Sequence, residues 1–329
     1  MSYYADKVGL LADLFGTSNV TLGDNVLTVE GTAYSIVDDV IVLLPEAFRP
    51  KGLGGTAPSH VAGDKPFAAD IQHTFGAEWQ AYPQVLPEHK QEFDDYFDVV
   101  DIGALAGKRT CDVGCGIGRW SYFLRHTARE LVLVDFSEAI FVARRNLADC
   151  PNAVFFMGDL TALPFRDDCC DLMFCLGVLH HLESNALSEV RGLRRFAPQL
   201  LIYLYSALDN RPLHYRILLP MVSALRLVLA RVEGTTARQF LTELCLWAIY
   251  MPLIGLGWLL KPLGLHTRVP LFDFYHDKSL KRIRQDVYDR FFTRIEQRFS
   301  RAEIEGLKDT FSEITISPRL PMWHFLCRR

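Results

Sequence analysis

Three short apolar runs, each closed by a glycine or an acid and each leading into a helical stretch, constrain residues 110–160 more than anything else in the chain. Thr110–Val113 ends in glycines and opens a helix over Ile117–His126. Leu131–Val134 is unbroken apolar sequence, the pattern of a strand covered on both faces, and stops at Asp135. A helix follows over Ser137–Leu147, with Ser137 as its candidate N-cap. Ala153–Met157 is a third strand and ends in Gly158-Asp159. The alternation continues through a strand at Asp171–Leu176, a helix at Ala186–Phe196 and a strand at Leu200–Leu204. Such alternation predicts an α/β fold with a mostly parallel sheet and helices on both faces. Ser300-Arg-Ala-Glu303 is a capping box that opens a helix to Thr310, and Ile314–Ile316 with Trp323–Leu326 predict a closing hairpin.

Composition removes several alternatives. Half of the 329 residues are apolar, too many for a disordered chain. The net charge of −4 argues against a nucleic-acid partner, which usually requires a basic surface. Eight cysteines without a CxxC pair predict reduced thiols in the cytoplasm. The opening MSYYADKVGL lacks a basic region followed by an apolar stretch, so no secretory signal is expected. No HExxH, paired carboxylate cluster or GxSxG elbow occurs, and no metal site is expected.

The loop Asp112-Val-Gly114-Cys115-Gly116-Ile-Gly118-Arg119 lets backbone approach a ligand closely and presents free N–H groups at a helix start. Asp135, 21 residues after Gly114, can accept two hydrogen bonds from ribose hydroxyls. Dinucleotide-binding folds share that pair. They place a third glycine where this chain has Arg119, and they lack a further acid like Asp159, which can accept from the amine of adenine. All three features sit at strand ends on one sheet edge, where open α/β folds bind ligands.

This set resembles the class I S-adenosylmethionine-dependent methyltransferases. Its carriers are Asp112–Gly118, Val134-Asp-Phe-Ser137, Gly158-Asp-Leu160 with Leu163-Pro-Phe165, and the run Asp171–Leu182. The resemblance implies a Rossmann-like core with a seven-stranded sheet and S-adenosyl-L-methionine as cofactor. It implies that Gly114 and Gly116 pack against the methionine part, Asp135 holds the ribose, Phe136 flanks the adenine and Asp159 meets its amine. Cys175 to Gly177 would pass near the sulfonium, and Asp112, Cys115 and Leu160 complete the cofactor-binding set. Phe75–Tyr82 looks like a segment that caps the cofactor in a subset of these enzymes; Trp79 and Tyr82 fit core packing equally well.

The expected organisation is a small β-rich N-terminal domain (1–50), a linker and cap segment (51–84), the cofactor-binding core (85–206), an apolar helical insertion or lid (207–285) and the C-terminal part of the core (286–329). Leu27–Leu44 resembles a zinc-ribbon-like β-domain fused to some methyltransferases, but the first cysteine is Cys111, which excludes a cysteine-held zinc. The insertion holds Leu244–Leu260, 17 residues without a charge, interrupted by Pro252, Gly255 and Gly257. Three accounts fit it: a lid over the acceptor pocket, an interfacial element dipping into lipid, and a true span. Trp247, Tyr250 and Trp258, with an excess of arginine, suit peripheral membrane contact through 212–262. Ile283, Val287, Phe291 and Ile295 fall at helical spacing. The polar residues beside them, Asp286, Asp289, Arg290, Arg294 and Glu296, either line the active-site mouth or form a paired, solvated face.

Methyl transfer requires in-line placement of the acceptor atom, and a base only where that atom carries a proton. His180 and His181 follow the fourth core strand and are the candidate bases, with a positional role as the alternative. Tyr205 and Tyr203 are further candidates, or line the pocket. The expected reaction is methyl transfer to an O, N or C atom of a small apolar or lipid-like acceptor, in the cytoplasm or at the inner face of a membrane. The rivals are a protein or RNA methyltransferase, and a non-catalytic cofactor sensor or scaffold. The sequence sets no oligomeric state.

Overall fold

The structure is a computed structural model and describes residues 2–53, 82–232, 234–293, 295–319 and 322–329. Two compact units divide the chain: Met1–Tyr205 with Arg301–Arg329, and Ser206–Ser300.

The first unit begins with helix α1 (Val8–Phe15) and an antiparallel meander of β1 (Val20–Gly23), β2 (Val26–Val29), β3 (Thr32–Val37) and β4 (Val40–Val42). Helix α2 (Glu88–Tyr96) precedes β5 (Arg109–Val113), α3 (Arg119–Leu124), β6 (Glu130–Asp135), α4 (Ala139–Asn146) and β7 (Ala153–Met157). Then come β8 (Leu172–Leu176), α5 (Ala186–Leu193) and β9 (Gln199–Leu204). Among the described residues these form one eleven-stranded sheet with β10 (Glu313–Ile316) and β11 (Trp323–Arg328), in the order β1-β2-β3-β4-β7-β6-β5-β8-β9-β11-β10. Strands β7, β6, β5, β8 and β9 are mutually parallel, and β11 runs antiparallel to both β9 and β10. The seven expected core strands and the closing hairpin are therefore present. Each of β5, β7 and β8 is buried along its whole length, which explains the unbroken apolar sequence of β7 and β8.

Residues 1–50 do not form a separate domain. Strand β4 pairs in parallel with β7 (Ile41↔Phe156, Val42↔Met157) and extends the same sheet. Without β4, the apolar β7 would be an open edge, and an open edge is a site for unwanted pairing. Tyr4 is fully buried, and its hydroxyl donates to Asp39 O at 2.6 Å and Phe155 O at 3.3 Å. Tyr3 donates to Ala153 O at 2.8 Å. Apolar burial of Leu27, Val40, Ile41 and Leu44 holds the meander.

Helix α4 starts two residues later than expected. Glu138 occupies the N-cap position, and Ser137 Oγ accepts from Ala139 N at 3.2 Å. Asn185 caps α5 by accepting from Leu187 N and Ser188 N.

The second unit contains α6 (Leu213–Leu229), α7 (Thr235–Cys245), a π turn (Leu246–Tyr250), α8 (Met251–Leu260), α9 (Phe272–Tyr275) and α10 (Leu280–Phe292). The π turn directly precedes Pro252; wider winding relieves the clash of a proline ring with the carbonyl four residues back. Ile283, Val287 and Phe291 of α10 pack with Leu246, Tyr250 and Ile254. The boundary expected at 286 therefore lies at 300, because α10 spends its apolar face on this unit's own core. Ile295 lies beyond the helix end. Asp286 is paired with Arg282 and Tyr275, and Glu296 with Arg298, so these charges serve pairing within the unit. Arg294 and Trp79 lie outside the described residues.

Because Tyr4 ties the meander to the centre of the sheet, Tyr4→Ala is expected to destabilise the whole sheet unit by about 3–5 kcal/mol in chemical denaturation. An unchanged unfolding transition of the core would mean that residues 1–50 fold independently.

Candidate active site

The order of strands reverses on either side of β5: the chain moves from β5 to β6 and β7 on one side, and to β8 and β9 on the other. The loops after β5, β6 and β8 thus meet at the carboxyl edge beside a topological switch point, the usual ligand crevice of such sheets.

The turn after β5 is built from left-handed glycines: Gly114 at φ +74°, Gly116 at +54° and Gly118 at +73°. Gly114 N and Cys115 N both donate to Val134 O, fixing the turn against β6. A Cβ at Gly114 would lie 2.3 Å from Val178 Cγ2, so that glycine makes room for the turn after β8 as well as for any ligand. A Cβ at Gly118 would crowd Ala143, Leu147 and Leu133 at 3.1–3.3 Å, so Gly118 lets α3 begin close against α4 and the sheet.

Asp135 ends β6 and is buried. Its Oδ2 accepts from Gly116 N at 2.8 Å, and its Oδ1 accepts from Ser137 N at 2.8 Å and Ser137 Oγ at 2.7 Å. A carboxylate offers about four acceptor positions. Three are used, so the arrangement leaves one for a ligand hydroxyl rather than the two expected. Burial raises the Asp135 carboxyl above its usual range, opposed by the Ser137 and Gly116 hydrogen bonds. Asp112 lies beneath the same turn and accepts from Ser121 Oγ at 2.7 Å. Its carboxyl is pushed up to about 7, first by burial and then by the charge of Asp135, with the Ser121 bond acting against both.

Asp159 is half-buried, and its Oδ1 accepts from Thr161 N at 2.9 Å and Thr161 Oγ1 at 2.7 Å, capping a short turn that starts at Leu160. Oδ2 remains to accept from a ligand amine. Phe136 is half-buried at the same edge. The thiols of Cys115 and Cys175 are buried and burial raises both, so each contributes backbone rather than a side chain at this edge. Gly177, at φ +86°, turns the chain out of β8.

His180 is fully buried and its ring stacks on Tyr205, with centroids 3.9 Å apart and planes at 27°. His181 is also buried and meets Tyr205 edge-on at 5.6 Å. Both imidazoles are thus packed against Tyr205, whereas Tyr203 and Tyr205 keep part of their surface open. The ring cluster continues through Tyr96, 4.9 Å from Tyr203 and 5.2 Å from Trp120. Behind Tyr203 stands His324, its cross-strand partner on β11. His324 Nε2 lies 3.1 Å from Asp98 Oδ1, and Ser317 Oγ donates to Asp98 Oδ2 at 2.7 Å. Burial lowers the His324 pKa, opposed by Asp98. Tyr96, Asp98 and His324 were not evident from the sequence; the signal present was a histidine inside the otherwise apolar run Trp323–Cys327.

A cavity of about 380 Å³ lies at the opposite, amino end of the strands, lined by Asp13, Arg109, Arg166, Asp168 and Arg329 among others. Its charges are paired with one another, as in Arg109 with Asp13 at 2.6 Å and Arg166 with Asp13 at 3.0 Å. It is a structural ion-pair network, far from the glycine turn in the topology. Among the described residues no group of three or more His, Cys, Asp or Glu is placed to hold a metal ion.

Residues 111–196 match the family model described as a methyltransferase domain. The matched segment runs from within β5 to just past α5, the part of the sheet that carries the glycine turn, Asp135, Asp159 and both histidines. A tRNA U34 carboxymethyltransferase of Trichlorobacter lovleyi is 28% identical over 193 residues, 56% of this chain and 53% of that protein. The enzyme of the same name from Methylococcus capsulatus is 34% identical over 108 residues, 31% of this chain and 33% of that protein. A demethylmenaquinone methyltransferase of Clavibacter sepedonicus is 38% identical over 71 residues, 21% and 29% of the two chains. The chain thus spans about half, or less, of the curated relatives it matches. Among solved structures, magnesium protoporphyrin IX methyltransferase of Synechocystis with bound SAH is 16% identical, covers 86% of this chain and 97% of that one, and has a TM-score of 0.42.

These relatives correct one expectation. Four curated relatives, the first two above among them, are named tRNA U34 carboxymethyltransferase, so the exclusion of a nucleic-acid partner from the net charge does not stand. Net charge sums the entire surface and does not report the local field at one sheet edge.

The native Asp112 carboxyl keeps its proton to about pH 7, while the unfolded one releases it near 3.8. The native state then binds more protons across that window, and stability falls as pH rises through it. Asp112→Asn retains an acceptor for Ser121. It is expected to be more stable than the parent above about pH 7 and to converge with it toward about pH 4. Denaturation at several pH values checks this; an offset independent of pH would contradict it.

Proposed function

We propose that this chain is an S-adenosylmethionine-dependent methyltransferase that holds its cofactor at the carboxyl edge of β5, β6 and β7. The observation that carries the reading is the Asp135 carboxylate, fixed by Gly116 and Ser137 with one acceptor position left at a strand end. When bound, the cofactor supplies a methyl group already activated on a sulfonium sulfur.

The chain's own residues then have positional tasks. Asp135 accepts from a ribose hydroxyl, Phe136 covers one face of the adenine, and Asp159 accepts from its amine through Oδ2. The turn Gly114–Gly118 lets the backbone come close to the ligand without glycine side chains in the way. Tyr203 and Tyr205, held by His180, His181 and Tyr96, present ring faces and hydroxyls to the acceptor and exclude water from it. With both histidines packed against tyrosine, no step in this arrangement requires an imidazole base.

The names of four relatives favour RNA as the acceptor class. The partly open rings of Tyr203 and Tyr205 suit that reading, because single-stranded bases are held by stacking on aromatic rings.

The test is incubation with methyl-labelled S-adenosylmethionine and separated RNA, protein and lipid fractions of cells. Label is expected in RNA, and Asp135→Ala is expected to lower incorporation about a hundredfold, equivalent to about 3 kcal/mol of lost cofactor and transition-state binding. Label confined to another fraction would overturn the acceptor reading alone. Failure to bind the cofactor would overturn the enzyme reading.

A further inference from the structure

Two helices of the second unit are built inside out. On α6 the buried side chain is Arg226, whose Nη1 donates to Thr293 O at 2.7 Å and whose Nε lies 3.9 Å from the Glu296 carboxylate. Leu213, Ile217, Met221 and Val228 of the same helix are 60–68% exposed. Helix α7 repeats the inversion. Arg238 and Thr242 are buried, with Arg238 Nε donating to Val232 O at 2.9 Å, while Phe240 is 69% exposed. The exposed apolar row continues through Leu244 and Trp247 to Trp258, Leu259 and Leu263. A water-facing helix places these residue types the other way round.

Helix α7, the π turn, α8 and the short turn after it run on from Thr235 to Leu263, 29 residues, with only 28% of the most apolar stretch buried. Contiguous exposed apolar surface of this kind marks an interaction site. Three observations identify the occupant. Exposed Trp247 and Trp258 have the amphipathic rings that settle at the level of lipid headgroups. Among the described residues, the exposed charges on these helices and the turns that follow them are cationic, Arg216, Arg231, Lys261 and Arg268, while the acid Glu243 is neutralised by Arg284. The inner face of α7 and α8 packs on α10, which carries exposed Lys281 and the Arg282–Asp286 pair. Immersing α10 in hydrocarbon would strand those charges, so the long helix lies along the interface rather than across the bilayer.

We propose that the outer faces of α6 and of the α7–α8 helix dock this chain onto a lipid bilayer bearing anionic headgroups. The burial of Arg226 and Arg238 is the other side of the same design: these two guanidinium groups bond inward, and leucine, isoleucine, phenylalanine and tryptophan take the outer face with cations among them. The docking does not depend on which acceptor is methylated.

The test uses the full chain with sedimented vesicles of phosphatidylcholine, with and without phosphatidylglycerol. Binding is expected to be strongest on the anionic vesicles, to weaken with salt, and to shift tryptophan emission to the blue. Met221→Glu with Leu259→Glu alters two exposed side chains. It is expected to leave the circular dichroism unchanged and to weaken vesicle binding about tenfold or more. Absence of sedimentation by the unaltered chain on both vesicles would overturn the proposal. So would a dimer in light scattering that already shields the tryptophans and does not respond to vesicles, because the face would then belong to a second copy.

Discussion

The first unit is organised around a buried negative charge at the end of β6. Taking the Asp135 carboxylate out of water is unfavourable, and it is tolerated because three donors converge on it. Two of those donors come from Ser137 and one from the glycine turn of the neighbouring strand. The carboxylate therefore fixes the relative placement of the β5 and β6 loops. Asp112, in β5 beneath the glycine turn, is pushed up to about 7, so below that pH the second carboxyl adds little repulsion. Gly114 and Gly118 follow from the same geometry, since Val178 and Ala143 occupy the space their side chains would need.

The strands that make this edge were legible in the sequence because parallel strands covered on both faces leave unbroken apolar runs. Ala153–Met157 is found as read, and Leu131–Val134 and Leu200–Leu204 differ from β6 and β9 by one or two residues. The placement of residues 1–50 was not legible. A β-meander has the same alternating pattern whether it closes on itself or joins another sheet, and the pairing of Ile41 with Phe156 spans more than a hundred residues. The dyad of Asp98 and His324 was hidden for the same reason, because it forms only when β11 lies against β9.

The second unit shows a different limit. Its apolar composition was plain, but composition does not say which side of a helix faces inward. The structure turns Arg226 and Arg238 inward and leaves leucine, isoleucine and tryptophan outside. Helix α10 was read as amphipathic, and its apolar face goes to Tyr250 and Ile254 of its own unit. Periodicity identifies a face and not its partner.

The central claim is that three adjacent strand ends bind one adenosyl nucleoside through Asp135, Phe136 and Asp159. A crystal structure with S-adenosylhomocysteine tests it most directly. A ribose hydroxyl is expected within about 3 Å of the Asp135 carboxylate, with the adenine beside Phe136 and its amine on Asp159. A nucleoside bound elsewhere, or an edge that accepts a nicotinamide dinucleotide in its place, would contradict it.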